Sequence, residues 1–503
     1  MPQAIRIIML FSTLFVAVAG AAQEDIFVDS STPDLFPQNG AQNGSAAFPF
    51  KTITQALELA RQIRFGCPAT HVLPSSPHTI TIHVAPGMHV GAFTAFHASS
   101  RETFPIVLNV PNLKLQGALR VEADGTITTP TTLRAERSQQ AKQHMVVVAR
   151  TNAPASCRFP ASFEMAGDFV TISGFFFEGI ADDSTKPGRN ESALVSLDRV
   201  TNFVVKESYF THGSFGMTAR LSSGQIRDNQ FVANNGLGVN VSGGSETFPA
   251  TVQIVGNRMR DNGTFPTAST PNGFGGGVNI QGAAQTENDL LDLFEGHPFA
   301  AVKLPRTYDR TNHPELVPDT LDVSVTRNTV VHNATFGIHV HGYIRDNYEL
   351  DPGDPNAIMT AKVTARFSEN VSMQNENYGI VIEAGQIKID KVRTHVVNIS
   401  ASFHKNTFLQ NQSGNALFGF WRFASSVSAA AASDLTLKFA HDSTMTICGD
   451  IKRFSFENRE TDPTDLTPTN NTLIVNNVPQ EKISCVPLQN CSREFPPSPP
   501  NCR

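Results

Sequence analysis

Two histidines and a glutamate stand out as residues that could do chemistry. His339 and His341 sit two apart in the string GIHVH, and Glu383 closes the related string GIVIE. Side chains of a strand alternate between faces, so residues two apart share one face. If the two strings are neighbouring strands in register, Glu383 lies beside His341. A carboxylate there would hold the imidazole and raise its pKa, making an acid/base pair. The two histidines could alternatively hold a metal ion, with Glu383 as third ligand. A plain solvated polar face is the remaining reading of the same residues.

Three more strings share this pattern: GMTAR from Gly216, GVNVS from Gly238 and GVNIQ from Gly277. Aligning all five sends Met217, Val239, Val278, Ile338 and Ile380 inward, with Ala219, Val241, Ile280, Val340 and Ile382. Two outward columns result. One holds Thr218, Asn240, Asn279, His339 and Val381; the other holds Arg220, Ser242, Gln281, His341 and Glu383. The expected site is therefore a polar stripe running across successive strands.

What must position the stripe is a repeat. SVTRNTVVHNATFGIHVHG, from Ser324, has near copies from Gln225, Thr364 and Ser400. Each holds an apolar alternating run, an Asn, four residues, a second Asn, and usually a Gly opening another alternating run. The Asn pairs are Asn229/Asn234, Asn257/Asn262, Asn328/Asn333, Asn370/Asn375 and Asn406/Asn411, with Asn471/Asn476 as a further candidate. Glu207/His212 and Gly174/Gly179 read as degenerate copies. A period of roughly 20–30 residues built from short alternating runs signals a stacked solenoid. One coil cannot bury its own apolar face, so neighbours must stack. The first Asn of each pair suits a sharp corner, since Asn tolerates left-handed backbone. Its amide could bond to the coils on either side, as in stacked Asn ladders.

These repeats resemble the right-handed parallel β-helix family, the pectate-lyase-like superfamily, from roughly Phe27 to Val478. The fold class expected is all-β, a right-handed parallel β-helix solenoid with an N-terminal capping helix. The superfamily spans lyases, hydrolases, epimerases and adhesins, so the resemblance implies a fold more than an activity. It implies that a groove along one parallel sheet binds oligosaccharide; the stripe's own residues then give the expected site, with Arg220, Asn240, Asn279, Gln281 and His339 as binding residues and His341 and Glu383 as catalytic ones. Arg220 could pair with a uronate carboxylate.

The sequence also departs from known enzymes of this family. Glycoside hydrolysis normally needs two facing carboxylates, and the stripe offers only Glu383. Asp289, Asp292, Glu295, Asp346 or Glu349 would have to supply the second. The DPHD motif of alginate-epimerase-like members has no match; the nearest string is Asp351-Pro-Gly-Asp354, without the His. The motifs of polygalacturonase-like members are missing too. Sugar platforms use Trp and Tyr, and the chain holds 1 Trp and 5 Tyr against 36 Phe. Phe in that excess suits stacking inside a solenoid core.

Two readings of function follow. One is binding of an extracellular acidic polysaccharide, with cleavage by a polysaccharide lyase or glycoside hydrolase chemistry if the protein is an enzyme. The other is a non-catalytic cell-surface, adhesive or structural scaffold. No cofactor is firmly implied and no metal is assigned. Calcium could sit in the acidic run DNYELDPGDPN, at Asp346, Glu349, Asp351 and Asp354, although EF-hand spacing is lacking.

The chain ends support export. Residues 1–22 read as a secretory signal peptide: Arg6, an apolar Ile7–Val18 core, then small residues. The core is too short for a comfortable membrane span. A secreted or extracytoplasmic monomer, in the periplasm or at the cell surface, is the expectation. A formal charge of -6 with no basic cluster argues against nucleic acid as a partner. Six Cys in an exported chain suggest disulfides, four of them (Cys448, Cys485, Cys491, Cys502) near the C-terminus. Residues 23–100 are assigned to a cap and first strands, and residues 101–480 to the helix. Insertions at 283–320 and 343–361 are expected to wall the stripe, and residues 481–503 form a Cys/Pro-rich tail. Ile53, Ala56, Leu57, Ala60 and Ile63 form one face of an amphipathic capping helix, opened by a Thr52–Gln55 capping box. Ten N-x-S/T sequons fall mostly inside the repeats, where Asn, Ser and Thr are needed anyway.

Overall fold

The computed structural model describes residues 24–31, 42–65, 79–92, 102–121, 126–135, 145–149, 169–179, 193–198, 200–243, 250–263, 275–285, 319–346, 358–388, 394–424, 444–449, 454–460, 471–475, 478–483 and 491–495. The expected signal peptide, Cys67, Cys157, Cys485 and Cys502, and the loop positions Asp289, Asp292, Glu295, Glu349, Asp351 and Asp354 lie outside them.

Three long sheets, of 13, 11 and 10 strands, carry the chain, and each coil from Val170 to Ala424 contributes a strand to all three in turn. The coil of the index repeat shows the plan. Asp319–Thr326 lies in the 13-stranded sheet, Thr329–Val331 in the 10-stranded sheet and Phe336–Asp346 in the 11-stranded sheet. Pairing along the three sheets is parallel from coil to coil, as from Val323 to Ala365 and from Ile338 to Ile380. The chain is a parallel β-helix.

The core follows from the alternation. All ten residues assigned inward, from Met217 to Ile382, are at most 1% exposed. Phe rings stack along the coil axis: Phe177 on Phe210 at 4.8 Å between centroids, Phe210 on Phe231 at 4.6 Å, and Phe367 on Phe403 at 5.0 Å. Strand spacing of about 4.8 Å is close to an aromatic stacking distance, so equivalent Phe residues stack by register alone.

Both Asn of each pair, not only the first, build a ladder. In the first, Asn229, Asn257, Asn328, Asn370 and Asn406 follow one another, each side-chain amide donating to the next Oδ1. In the second, Asn234, Asn262, Asn333, Asn375 and Asn411 do the same. Each Oδ1 also accepts from the backbone N–H of the preceding Asn, as Asn328 Oδ1 does from Asn257 at 2.9 Å. The spare amide hydrogen mostly reaches a carbonyl of the coil before, as from Asn328 to Ile254 at 2.8 Å, while Asn333 and Asn375 donate to Val331 and to the Ser372 hydroxyl of their own coil. This fills a buried corner with polar groups that satisfy one another, the condition under which burial is tolerated.

The left-handed backbone, however, belongs to the residue before each Asn. Arg327, His332, Glu369 and Gln374 have φ of 55°, 55°, 58° and 56°. The ladder needs the Asn side chain turned inward, so the preceding residue takes the bend. The same shift corrects the alignment of the degenerate copy. Glu207 and His212 are bend residues with φ of 52° and 58°. Ser208 and Gly213 stand in the Asn columns and donate their N–H groups to Asn229 and Asn234. Asn471 lies in a strand of the 13-stranded sheet rather than at a corner, and Asn476 is outside the described residues.

The Gly that opens the second run has a steric cause. A Cβ on Gly216, Gly238, Gly277 or Gly337 would sit 2.6–2.7 Å from the carbonyl oxygen of the equivalent Gly in the next coil. Only Gly lets coils stack there.

At the N-terminal end, helix Ile53–Phe65 packs on the first strands of the 13-stranded sheet. Ile53, Ala56, Leu57 and Ala60 are at most 1% exposed, and Ile63 packs at the margin of the core. The capping box forms reciprocally: Gln55 N–H donates to Thr52 Oγ1 at 3.2 Å, and Thr52 N–H to Gln55 Oε1 at 3.3 Å. The buried Glu102 carboxylate accepts from Ile53 N–H, Thr54 N–H and the Thr54 hydroxyl. At the other end, Val478–Ile483 and Cys491–Phe495 run antiparallel to the last strands of the 13- and 11-stranded sheets. Part of the Cys/Pro-rich tail is therefore strand that caps two open sheet edges.

Candidate functional site

The outward face of the 11-stranded sheet carries the stripe. Backbone register puts Arg220, Ser242, Gln281, His341 and Glu383 in one column. Thr218, Asn240, Asn279, His339 and Val381 form the column beside it. Gly282 and Gly342 do not end their strands. The strands continue to Gln285 and Asp346, so the sheet widens alongside the site.

His339, His341 and Glu383 come together as one cluster, with one potential ligand atom from each lying within 4.8 Å of the others. Glu383 is in register with His341, yet its Oε2 lies 3.0 Å from Nε2 of His339. Glu383 thus contacts His339 as well as standing in register with His341, on which its charge also acts. The carboxylate reaches diagonally across the register, a distance open to long side chains on a sheet. The two imidazoles stack with centroids 5.4 Å apart, and the Phe336 ring lies 4.7 Å from His339.

His341 also reverses the expected charge behaviour. Its pKa is lowered from 6.5 to about 4, chiefly by burial and then by the neighbouring His339, with Glu383 opposing. The residue as a whole is part-exposed, but Nε2 is sealed from solvent. Desolvation disfavours the imidazolium more than one already engaged carboxylate favours it. The His341 ring is therefore neutral at pH 7.

The remaining stripe residues divide into near and far. Asn279 neighbours His339 in register and donates from its amide to Asn240 Oδ1 at 2.8 Å. Asn279 and His339 are each 6% exposed, so this part of the face is not a solvated surface. Gln281 is in register with His341 and is part-buried. Arg220 stands three strands from His341, about 14 Å at the usual strand spacing. It is not part of the cluster. Val381, assigned to the polar column, is buried with Leu237 and Phe336, against Phe215 and Tyr378. Phe215, Leu237, Phe336 and Tyr378 form a third column in which Gly276 interrupts the side chains. This apolar border was missed, although the residue before each aligned Gly shows it: Phe215, Leu237, Phe336 and Tyr378. In backbone register with Arg220, one coil earlier, is Asp198, which the repeat pattern did not reveal.

No protein-family model matches the chain, and no curated protein matches it. Among solved structures it is similar to pectate lyase Pel9A, at TM-score 0.29 and 13% identity over 79% of each chain. It is also similar to the catalytic domain of a GH87 alpha-1,3-glucanase in complex with nigerose. That match has TM-score 0.28 and 12% identity over 88% of this chain and 67% of the other. Overlaps this loose bear on neither activity nor residue roles. The assignment as a parallel β-helix rests on the chain's own sheet order. Among the described residues, no helix is long and apolar enough to cross a membrane.

Proposed function

We propose that this is an exported β-helix protein that binds an acidic polysaccharide along the stripe and cleaves it at the His339–His341–Glu383 cluster. One observation carries the reading. Two imidazoles and a carboxylate converge on the outward face of a rigid sheet, and His341 is held neutral there. Titratable groups gathered with a perturbed pKa mark a candidate site. The described stripe brings a single carboxylate to the cluster, which fits poorly with hydrolysis by a carboxylate pair. It fits better with β-elimination. His341 would take the proton next to a uronate carboxyl, a carbon–carbon double bond would form as the glycosidic bond breaks, and the leaving oxygen would carry away the proton handed on by His341. Arg220, about 14 Å along the stripe, is suited to another carboxylate of the same chain.

The test is a panel of acidic polysaccharides, followed by ultraviolet absorbance of the unsaturated product. Turnover lost in His341→Ala and Glu383→Gln is expected. Unchanged turnover removes the assignment. Binding without product from any member of the panel favours the non-catalytic scaffold.

A further inference from the structure

We propose that His339, His341 and Glu383 are a three-ligand site for a zinc-class divalent cation, with Asn279 as the outer partner that orients His339. This rests on the reading of the cluster as the reactive centre and names the ion that centre holds.

The donor set is the first argument. Two imidazoles and one carboxylate suit zinc, nickel, copper or iron(II). Calcium takes roughly 6–8 oxygen ligands, and the cluster offers no such shell. The distances are the second. Zinc bonds of about 2.0–2.2 Å put tetrahedral ligand atoms roughly 3.3–3.6 Å apart. The three donor atoms already lie within 4.8 Å of one another, with His339 Nε2 and Glu383 Oε2 at 3.0 Å. Side-chain rotation of ordinary size closes the set on an ion.

The third argument is an unfinished polar pair. His339 Nδ1 is buried and makes no hydrogen bond, and on the neighbouring strand the buried Asn279 Oδ1 makes none either. Buried polar atoms are normally satisfied. A histidine that ligates through Nε2 carries its proton on Nδ1 and needs an acceptor for it. Asn279 Oδ1 is such an acceptor, on the residue in register with His339. On the other side, the residue in register with Glu383 is Gly419, which has no side chain to close the site. Three protein ligands and an open position are the pattern of catalytic rather than structural zinc sites. With His341 engaged as a ligand its lone pair is no longer free, so the ion would instead supply the base, by lowering the pKa of a water in that open position.

The full chain, stripped with chelator, is titrated calorimetrically with zinc, cobalt and calcium. One zinc equivalent should bind with high affinity, and that binding should be lost in Glu383→Gln and in His341→Gln. Cobalt should show the visible absorption of a four- or five-coordinate ion. Asn279→Leu should weaken zinc about 10–100-fold without abolishing it. Circular dichroism of each variant checks that it has folded. Zinc binding equal in wild type and in the folded Glu383→Gln variant would overturn the site, because it would place the ion elsewhere. So would calcium bound as tightly as zinc. Zinc bound with no polysaccharide retained removes the functional reading alone. Polysaccharide cleavage that survives chelation, with no saturable zinc, removes the metal alone.

Discussion

Two polar columns run along this molecule, and they are built to opposite rules. At the corners, the same residue recurs through five successive coils and each Asn side chain satisfies the next. On the 11-stranded sheet the residue changes along each column, and only Asn240 and Asn279 repeat. There the polar atoms are incompletely matched, as at His339 Nδ1 and Asn279 Oδ1. Both columns are produced by the same register. A repeated residue makes a self-satisfied ladder and supports the fold. A varied one leaves donors and acceptors available for something else.

The comparison breaks most visibly at the ladder. Asn328→Ala leaves the Ile254 carbonyl and the Asn257 N–H without their present partners in a buried corner. At roughly 1–3 kcal/mol for each such group, a loss of about 3 kcal/mol or more is expected in denaturant unfolding. A loss below about 1 kcal/mol would show the ladder to be ornamental.

Acid sharpens the contrast at the site. The unfolded chain takes up a proton on His341 near pH 6.5, while the folded protein resists until about 4. Stability from this group is therefore complete above pH 6.5 and falls as pH drops towards 4, by an order of magnitude of 3 kcal/mol. Metal-depleted wild type should show this slope by hydrogen exchange in strand Phe336–Asp346, and His341→Gln should lose it. An equal slope in both would assign the acid sensitivity elsewhere.

A smaller effect is expected at the cap. Thr52→Ala removes the acceptor for Gln55 N–H and should cost about 1 kcal/mol, read as faster exchange in helix Ile53–Phe65 alone. The smallest belongs to the exposed corner. His332 meets Gln374 at 2.8 Å on the surface, and His332→Ala should change stability by less than about 0.5 kcal/mol. A larger loss would mean that the bend residues, and not only the inner Asn, hold the corner.

The sequence made the coil core legible because period-two alternation and burial are the same fact written twice. It made the ladders legible because Asn recurs at a fixed offset. The left-handed residue was misplaced by one position, since the rule that Asn tolerates that backbone competes with the need for its side chain inside. The His339–Glu383 contact was not legible because register fixes Cα positions while rotamers decide contacts. The His341 shift was missed for a related reason. Burial of an outward face depends on its surroundings, and a strand's own letters do not report them. Val381 was the visible warning, an apolar residue in a polar column.

The two Asn ladders have a consequence for how the chain can be made. Asn262, Asn333, Asn370 and Asn411 each begin an N-x-S/T sequon, yet in the folded protein they are 0%, 0%, 0% and 8% exposed. A sugar attached to any of them before winding would wedge adjacent turns apart. A host that decorates nascent chains at these signals would thus yield a mixture of wound and unwound molecules, whereas one lacking that machinery would not.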